Sequence, residues 1–422
     1  MRSPTLSYLG VLVATLASLN CSSSTGEVGR ATDAAVGPPS GDAAVVDAAG
    51  PGTDLVDAST QRLDAVSTAS DAYIRTTGGP FGLEQRPRGQ TCKLFAHFDQ
   101  PIAKLSMTGC VDPADPKEPA ATLIPYDVIS PLWSDGADKR RYLATPDDSL
   151  IHVKDCMREP DSCKLTFEGG TGGSDGHWVL PVGTVLVKSF LFGGKYLETR
   201  LFMRYPDQWV GYSYQWDDAQ TDATIVDKMG AHKSISDAAN GTHDWYFPSR
   251  ADCMKCHNAP AGFSLGVDST QLNRDFTYPT GVTANQIATL EHLGVLDAPA
   301  RSIPALANPA TTTGDLESRV RSYLAANCAI CHRPDSDYPD IDLRLGVAFK
   351  DTNLCDQDPT KGDVGVPGAK RFSPGDPSKS TMYLRMRSLE NQTRMPRIAT
   401  SVVDTVGTKL VSDWISATKA CP

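Results

Sequence analysis

The chain has 422 residues, 40% of them hydrophobic and 21% charged, with a formal net charge of −10 and a pI near 5.3. That acidity argues against nucleic acid as a partner, because phosphate recognition runs on a surplus of lysine and arginine. Beyond Leu19 no stretch is apolar enough to cross a bilayer, and no phosphate-binding loop, nucleophile elbow or His-Glu-x-x-His zinc motif occurs.

Arg2 followed by the apolar run from Leu6 to Leu19 predicts a secretory signal peptide over residues 1–20, since the run is shorter than a membrane span. It ends at Cys21 and Ser22-Ser23-Ser24, which looks like the acylated cysteine and linker of a bacterial lipoprotein, although Ser18-Leu19-Asn20 departs from the usual pattern before such a cysteine. The expected location is the periplasm or cell surface, as an outer-membrane lipoprotein held through its lipid. Between Tyr8 and Tyr73 there is no aromatic residue, and Leu55 and Leu63 are the larger aliphatics after the signal. Such a composition cannot bury enough apolar surface to offset chain entropy, so 21–75 reads as a disordered linker.

From 76 to 250 the pattern is β-rich. Gly193-Gly194 separates two apolar runs, Thr184 to Phe192 and Lys195 to Tyr205. The second alternates Leu197, Leu201, Met203 and Tyr205 with Glu198, Arg200 and Arg204. After a turn at Pro206-Asp207, Val210, Tyr212, Tyr214 and Trp216 alternate again, giving three strands of an antiparallel meander. Frequent turn residues elsewhere suit a sandwich-like domain.

After Asp252 the character changes to helix and loop. Cys253-Met254-Lys255-Cys256-His257 opens a first motif region, 251–312, and Cys328-Ala329-Ile330-Cys331-His332 stands in a second, 313–422. Cys-x-x-Cys-His is the attachment signal of c-type haem. Two thiols three residues apart can add to the two vinyl groups of one porphyrin, while the adjacent imidazole turns onto the iron. Cys-x-x-Cys also serves zinc sites and thiol oxidoreductases, but neither demands the immediate histidine. Two haem c groups are therefore expected, with His257 and His332 as proximal ligands. Helices are predicted over Thr283 to Leu293, stopped by Gly294; from Asp315 into the second motif; over Thr381 to Leu389; and from Val403 to about Thr418, with Val403, Val406, Leu410 and Trp414 as its buried stripe.

Met395, in Thr393-Arg394-Met395-Pro396, is the expected distal ligand of the second haem, on a loop stiffened by Pro396. Met382 and Met386 compete from a helix, where methionine is usually core. His292, His243 and Met229 are the candidates for the sixth position of the first iron, which otherwise stays open. Asp335, Asp337, Asp340 and Asp342 form a solvated turn in preference to a calcium loop, which would want a glycine and a terminal glutamate.

Besides Cys21 and the four motif cysteines, six remain, an even number that suits an oxidising compartment. Nearest-neighbour pairing joins Cys92 with Cys110, Cys156 with Cys163, and Cys355 with Cys421, among the several connectivities that six thiols allow.

Several phrases resemble a family of largely uncharacterised exported proteins of Gram-negative bacteria that join a β-rich amino-terminal region to cytochrome c-type motifs. They are Tyr126-Asp127 with Ser130-Pro131-Leu132-Trp133-Ser134-Asp135-Gly136, Leu180-Pro181-Val182-Gly183-Thr184, Glu198-Thr199-Arg200, Gln220-Thr221-Asp222-Ala223-Thr224 and Gln271-Leu272-Asn273. The order helix, motif, methionine loop, aromatic-bearing helix over 313–422 resembles a class I cytochrome c domain. The resemblance implies haem binding and electron transfer without an established substrate, and it adds His332 and Met395 as iron ligands by position.

The expected protein is thus a multidomain α+β chain, a β-rich domain followed by a helical cytochrome c-type domain. It would act as an exported dihaem electron carrier whose partner is another redox protein, a dehydrogenase or cytochrome acting as donor or acceptor. Two rivals stand beside it: a dihaem peroxidase-like enzyme working at an open first iron, and a surface ligand-binding β module with accessory haems. The second would need Trp133, Trp178, Trp209 and Trp216 at the surface.

Overall fold

Strands β1 (Ile124–Tyr126), β2 (Asp138–Ala144), β5 (Val185–Phe192), β6 (Lys195–Arg204), β7 (Trp209–Trp216) and β8 (Ala223–Ile225) make one antiparallel sheet in that order. The computed structural model describes residues 81–153, 164–167, 170–173, 178–237, 240–301 and 304–422. The signal peptide, the linker, Cys21, Cys156 and Cys163 lie outside the described residues. Short ribbons β3 (Lys164–Phe167) with β4 (Gly170–Gly173), β9 (Ala231–Asp237) with β10 (Gly241–Phe247), and β11 (Asp275–Thr277) with β12 (Thr283–Asn285) complete the strands. The β-rich, antiparallel character read from the sequence holds.

The β5–β6–β7 meander follows its alternation, turned at Gly193 and Gly194, both at positive φ. One departure matters. A bulge lies where Leu191 pairs with Tyr196 and Phe190 with Glu198, leaving Leu197 as the extra residue. Tyr196 therefore packs with Leu201, Met203, Tyr212 and Tyr214, while Leu197 turns to Phe190 and Trp245 on the other face.

The first face is covered by residues 92–123, clamped by the Cys92–Cys110 disulfide (S–S 2.02 Å). Tyr212 Oη donates to Phe98 O and Tyr214 Oη to Ile102 O, both at 2.7 Å, so buried phenols are satisfied by the covering loop. On the second face, Leu186, Phe202 and Trp209 pack with Val267, Ile287 and Leu290. Trp178, Trp209 and Trp216 are all buried, and Trp133 is half-buried with its Nε1 donating to Val402 O (3.0 Å).

The helices are α1 (Arg250–Cys256), α2 (Ser269–Leu272), α3 (Gln286–His292), α4 (Leu316–Asn327), α5 (Thr381–Arg387) and α6 (Thr405–Ala417). Among the described residues no helix is long and apolar enough to cross a membrane. The helix expected from Thr283 starts later, because Thr283 and Ala284 pair with β11 and Asn285 caps α3 by accepting from Ala288 N (3.0 Å). Asp315 and Asp404 cap α4 and α6 likewise. The stripe of α6 is also displaced. Val406 is 65% exposed, and Gly407, Leu410, Val411, Trp414 and Ile415 face inward. The cause is the close crossing of α4 and α6, where a Cβ on Gly407 would stand 2.4 Å from the Tyr323 ring and Tyr323 Oη bonds Asp404 (2.9 Å).

Trp414 meets the Phe349 ring at a tilt and the Phe372 ring edge-on in a separate core that the Cys355–Cys421 disulfide closes. The bond joins positions 66 residues apart. Loop-closure entropy for that span puts its contribution at about 4 kcal/mol, so a Cys355→Ser/Cys421→Ser chain should unfold at markedly lower urea concentration. An unchanged midpoint would mean the helices do not depend on this link.

Candidate haem-attachment cavity

The two Cys-x-x-Cys-His motifs, far apart in sequence, open onto one cavity of about 730 Å³. Cys253, Cys256, His257, Cys328, Cys331 and His332 all line it, and so does Met395. The second face of the sheet is one wall and the helical part the other.

The first motif is carried by α1, whose start is a capping box: Ser249 Oγ accepts from Asp252 N (3.0 Å) and Asp252 accepts in turn from Ser249 N (3.3 Å). α1 lies against β7 because Gly211 has no side chain; a Cβ there would meet Cys253 Sγ at 2.7 Å. Glycine inside a strand marks such an approach. At the far end of α1 the chain turns, with His257 N on Cys253 O (2.9 Å). His257 Nδ1 then donates to Phe263 O (2.6 Å), and the ring rests on Phe202, centroids 4.1 Å apart. A histidine whose Nδ1–H is held by a carbonyl is fixed in the tautomer that leaves Nε2 free to ligate.

The second motif follows α4 in the same manner. His332 N bonds Cys328 O (2.9 Å), repeating the turn of the first. His332 stands 5.6 Å from the Tyr338 ring, and its Nδ1 is buried without a hydrogen-bond partner. The motifs touch: the Cys256 thiol donates a hydrogen bond to Cys331, and Arg333 Nη1 donates to Pro260 O (2.8 Å).

Burial sets the protonation of these groups. It pushes His257 down to about 4, with Lys188 and Arg200 adding to the effect, and His332 to about 4, helped by Arg371. Both imidazoles are neutral, as a metal ligand must be. Burial raises the Cys253 thiol to about 11 and the Cys328 thiol to about 12. Cys256, donating to Cys331, is raised as well. Cys331, which accepts that hydrogen bond, is lowered. All four cysteines are free, and among the described residues no three His, Cys, Asp or Glu side chains converge to grip a metal ion by themselves. A porphyrin iron asks less of the chain, one imidazole and two thiols per group, and that is the donor set present twice. The Gly211 seat, the free Nε2 of His257 and the orphaned Nδ1 of His332 fit such groups.

Met395 enters from the loop after α5, its amide on Arg385 O (3.0 Å) and its peptide to Pro396 cis. Met386 also lines the cavity, although it is otherwise core. The three candidates for the sixth position of the first iron lie elsewhere. His292 stacks on Phe81 (3.8 Å), His243 packs edge-on to Phe192 in the β9–β10 ribbon, and Met229 is 75% exposed. Asp342, in the acidic loop, is held by Arg344 (2.6 Å).

The quoted phrases acquire physical roles. Asp135, at φ 48°, accepts from Ser401 N and Val402 N (both 3.0 Å), Asn327 accepts from Trp133 N (2.6 Å), and Ser130 Oγ donates to Ser322 O (3.0 Å), so residues 130–136 dock the helical part on the sheet. Gln271 braces them, its side chain bonding Ser130 N and O, both at 2.9 Å. Arg200, which lines the cavity, is held by a bidentate pair with the buried Glu198 (2.7 and 2.9 Å). No family model, curated protein or solved structure matches this chain.

The box at α1 makes a pH prediction. Bonds from Lys255, Tyr246 and Ser249 outweigh burial and hold Asp252 down to about 2. Its unfolded value is near 4, so its contribution is complete above about pH 4 and is lost as pH falls through about 2. Asp252→Asn should therefore flatten the acid limb of the thermal stability curve; a limb of unchanged slope would contradict the assignment.

Proposed function

We propose that the protein is an exported dihaem c-type cytochrome that passes single electrons to or from a redox partner protein, a β-rich sandwich-like domain being followed by a helical cytochrome c-type domain over 313–422. The observation that carries this reading is the convergence of both Cys-x-x-Cys-His motifs, each with a neutral histidine, on one cavity. Haem c held there supplies a reversible one-electron iron couple. The chain's own part is attachment through Cys253 with Cys256 and Cys328 with Cys331, ligation by His257 and His332, and a thioether from Met395. The sheet and the docked helices wall the site, and Phe263 O fixes the His257 ring. The buried tryptophans speak for a packed core over a surface ligand platform. An anchor at Cys21 would hold the protein at the outer membrane, in the periplasm or at the cell surface.

Met395→Ala should change the visible spectrum and lower one midpoint potential, because thioether ligation raises the potential. An unaltered spectrum would remove Met395 from the iron.

One observation favours the second reading, a haem enzyme with an open first iron: none of His292, His243 and Met229 lines the cavity. Under that reading the oxidised protein shows a high-spin iron that responds to peroxide; a fully low-spin, unresponsive spectrum would leave only the carrier.

A further inference from the structure

The register of the sheet lays out its cavity face in rows. Ile124, Leu143, Leu186, Phe202 and Gly211 are successive cross-strand partners over β1, β2, β5, β6 and β7, an apolar row beneath His257 and Cys253. Two residues further along each strand, roughly 7 Å, the partners are Tyr126, Arg141, Lys188, Arg200 and Ser213. Three cations thus stand on three adjacent strands, and Arg141, Lys188 and Arg200 all line the cavity. Like charges directly opposite one another are destabilising, and buried cations need partners.

Two of the three have them. Arg141 pairs with Asp127 (2.5 Å) and Arg200 with Glu198, which also accepts from Trp245 Nε1 (3.1 Å). Among the described residues the Lys188 side chain has neither hydrogen bond nor ion pair; burial, with Arg141, Lys139 and Arg200 adding to it, pushes the ammonium well below its usual range, and its Nζ lies over the Phe190 ring at 5.1 Å. At the end of the row Ser213 Oγ is buried without a partner. The three cations are short of one anion and line a space that has room for it.

We infer that the Arg141, Lys188 and Arg200 row is a carboxylate-binding floor, with Lys188 as its primary donor. The carboxylate is either a propionate of a haem carried in the cavity or a free small carboxylate that enters it. Only the first source rests on the haem reading above. Guanidiniums occupied by Asp127 and Glu198 supply field and orientation, and the compact ammonium supplies the open contact.

The test uses the isolated full chain, wild type and Lys188→Met, with Lys188→Arg as the charge-preserving control and haem content read independently by the alkaline pyridine spectrum. If a propionate sits on the row, the low-frequency propionate bending band in the resonance Raman spectrum shifts in Lys188→Met and returns in Lys188→Arg. If a free carboxylate sits there, the Raman band stays and a succinate titration of the absorption spectrum saturates, weakened at least tenfold in Lys188→Met. In two-haem protein, neither a band shift nor a titration sensitive to Lys188→Met overturns the inference. Haem-free protein would defeat the functional reading alone; the row then stands or falls on whether succinate quenches tryptophan emission in wild type but not in Lys188→Met, Trp245 being on the same wall.

Discussion

Replacing Cys328 and Cys331 together by alanine should leave a protein with one covalently bound haem, and replacing Cys253 and Cys256 should leave the other. Each pair has its own histidine and its own turn, with the His amide on the carbonyl of the first cysteine at 2.9 Å in both. Intact mass after denaturation reads the outcome, since thioether links survive unfolding. The second deletion should be the milder for stability: α1 is held by its capping box and by packing on β7, whereas Cys328 and Ala329 belong to the core that contains Trp414. A chain in which either double replacement abolishes both haems would mean the two sites form one indivisible unit.

The second large effect is expected at Gly211. A leucine there must push Cys253 off the sheet, because its Cβ alone would stand 2.7 Å from Sγ and 3.0 Å from the Cys253 Cβ. Overpacking of this kind costs about 1–3 kcal/mol, and here the displaced group is the attachment helix. Gly211→Leu should lose the haem at Cys253 and Cys256 while keeping the one at Cys328 and Cys331, with a melting temperature several degrees lower. Gly211→Ala, which presents the same Cβ without the bulk, should retain the haem with a perturbed first-site spectrum. Full two-haem occupancy in Gly211→Leu would show that α1 does not rest on this strand.

How much of this was legible in the sequence depends on the range of the interaction involved. The β5–β6–β7 meander could be read because alternation and the Gly193-Gly194 turn are local signals. The bulge at Leu197 could not, because it follows from matching β6 to β5, and it reverses the facing of Tyr196 and Leu197. For α6 the apolar spacing pointed to Val406, but the face was chosen by Gly407, which leaves room for the Tyr323 ring. Asn285 could have been read as an N-cap three residues before Ala288; Thr283 and Ala284 turned to strand through a partner, β11, that no local pattern announces.

The site divides in the same way. The motif residues could be picked out because each set stands in five consecutive positions. Their meeting on one cavity was not, since it depends on Asp135, Trp133 and Asn327 docking the helical part against the sheet. Nor was the cation row. Arg200 and Glu198 stood out in the alternation, yet Lys188 and Arg141 come beside them only because β2 pairs with β5, the strands between forming a ribbon of their own. The candidates for the first iron's sixth position failed for a related reason: His243 and His292 are near the motif in sequence, but one belongs to the β9–β10 ribbon and the other stacks on Phe81.

The most direct test is the mass of the mature chain after unfolding, compared with its sequence mass. Two haem masses retained through thioether links at Cys253 with Cys256 and Cys328 with Cys331 is the predicted result. Four alkylatable thiols at those positions, or a zinc ion recovered in place of iron, would contradict it.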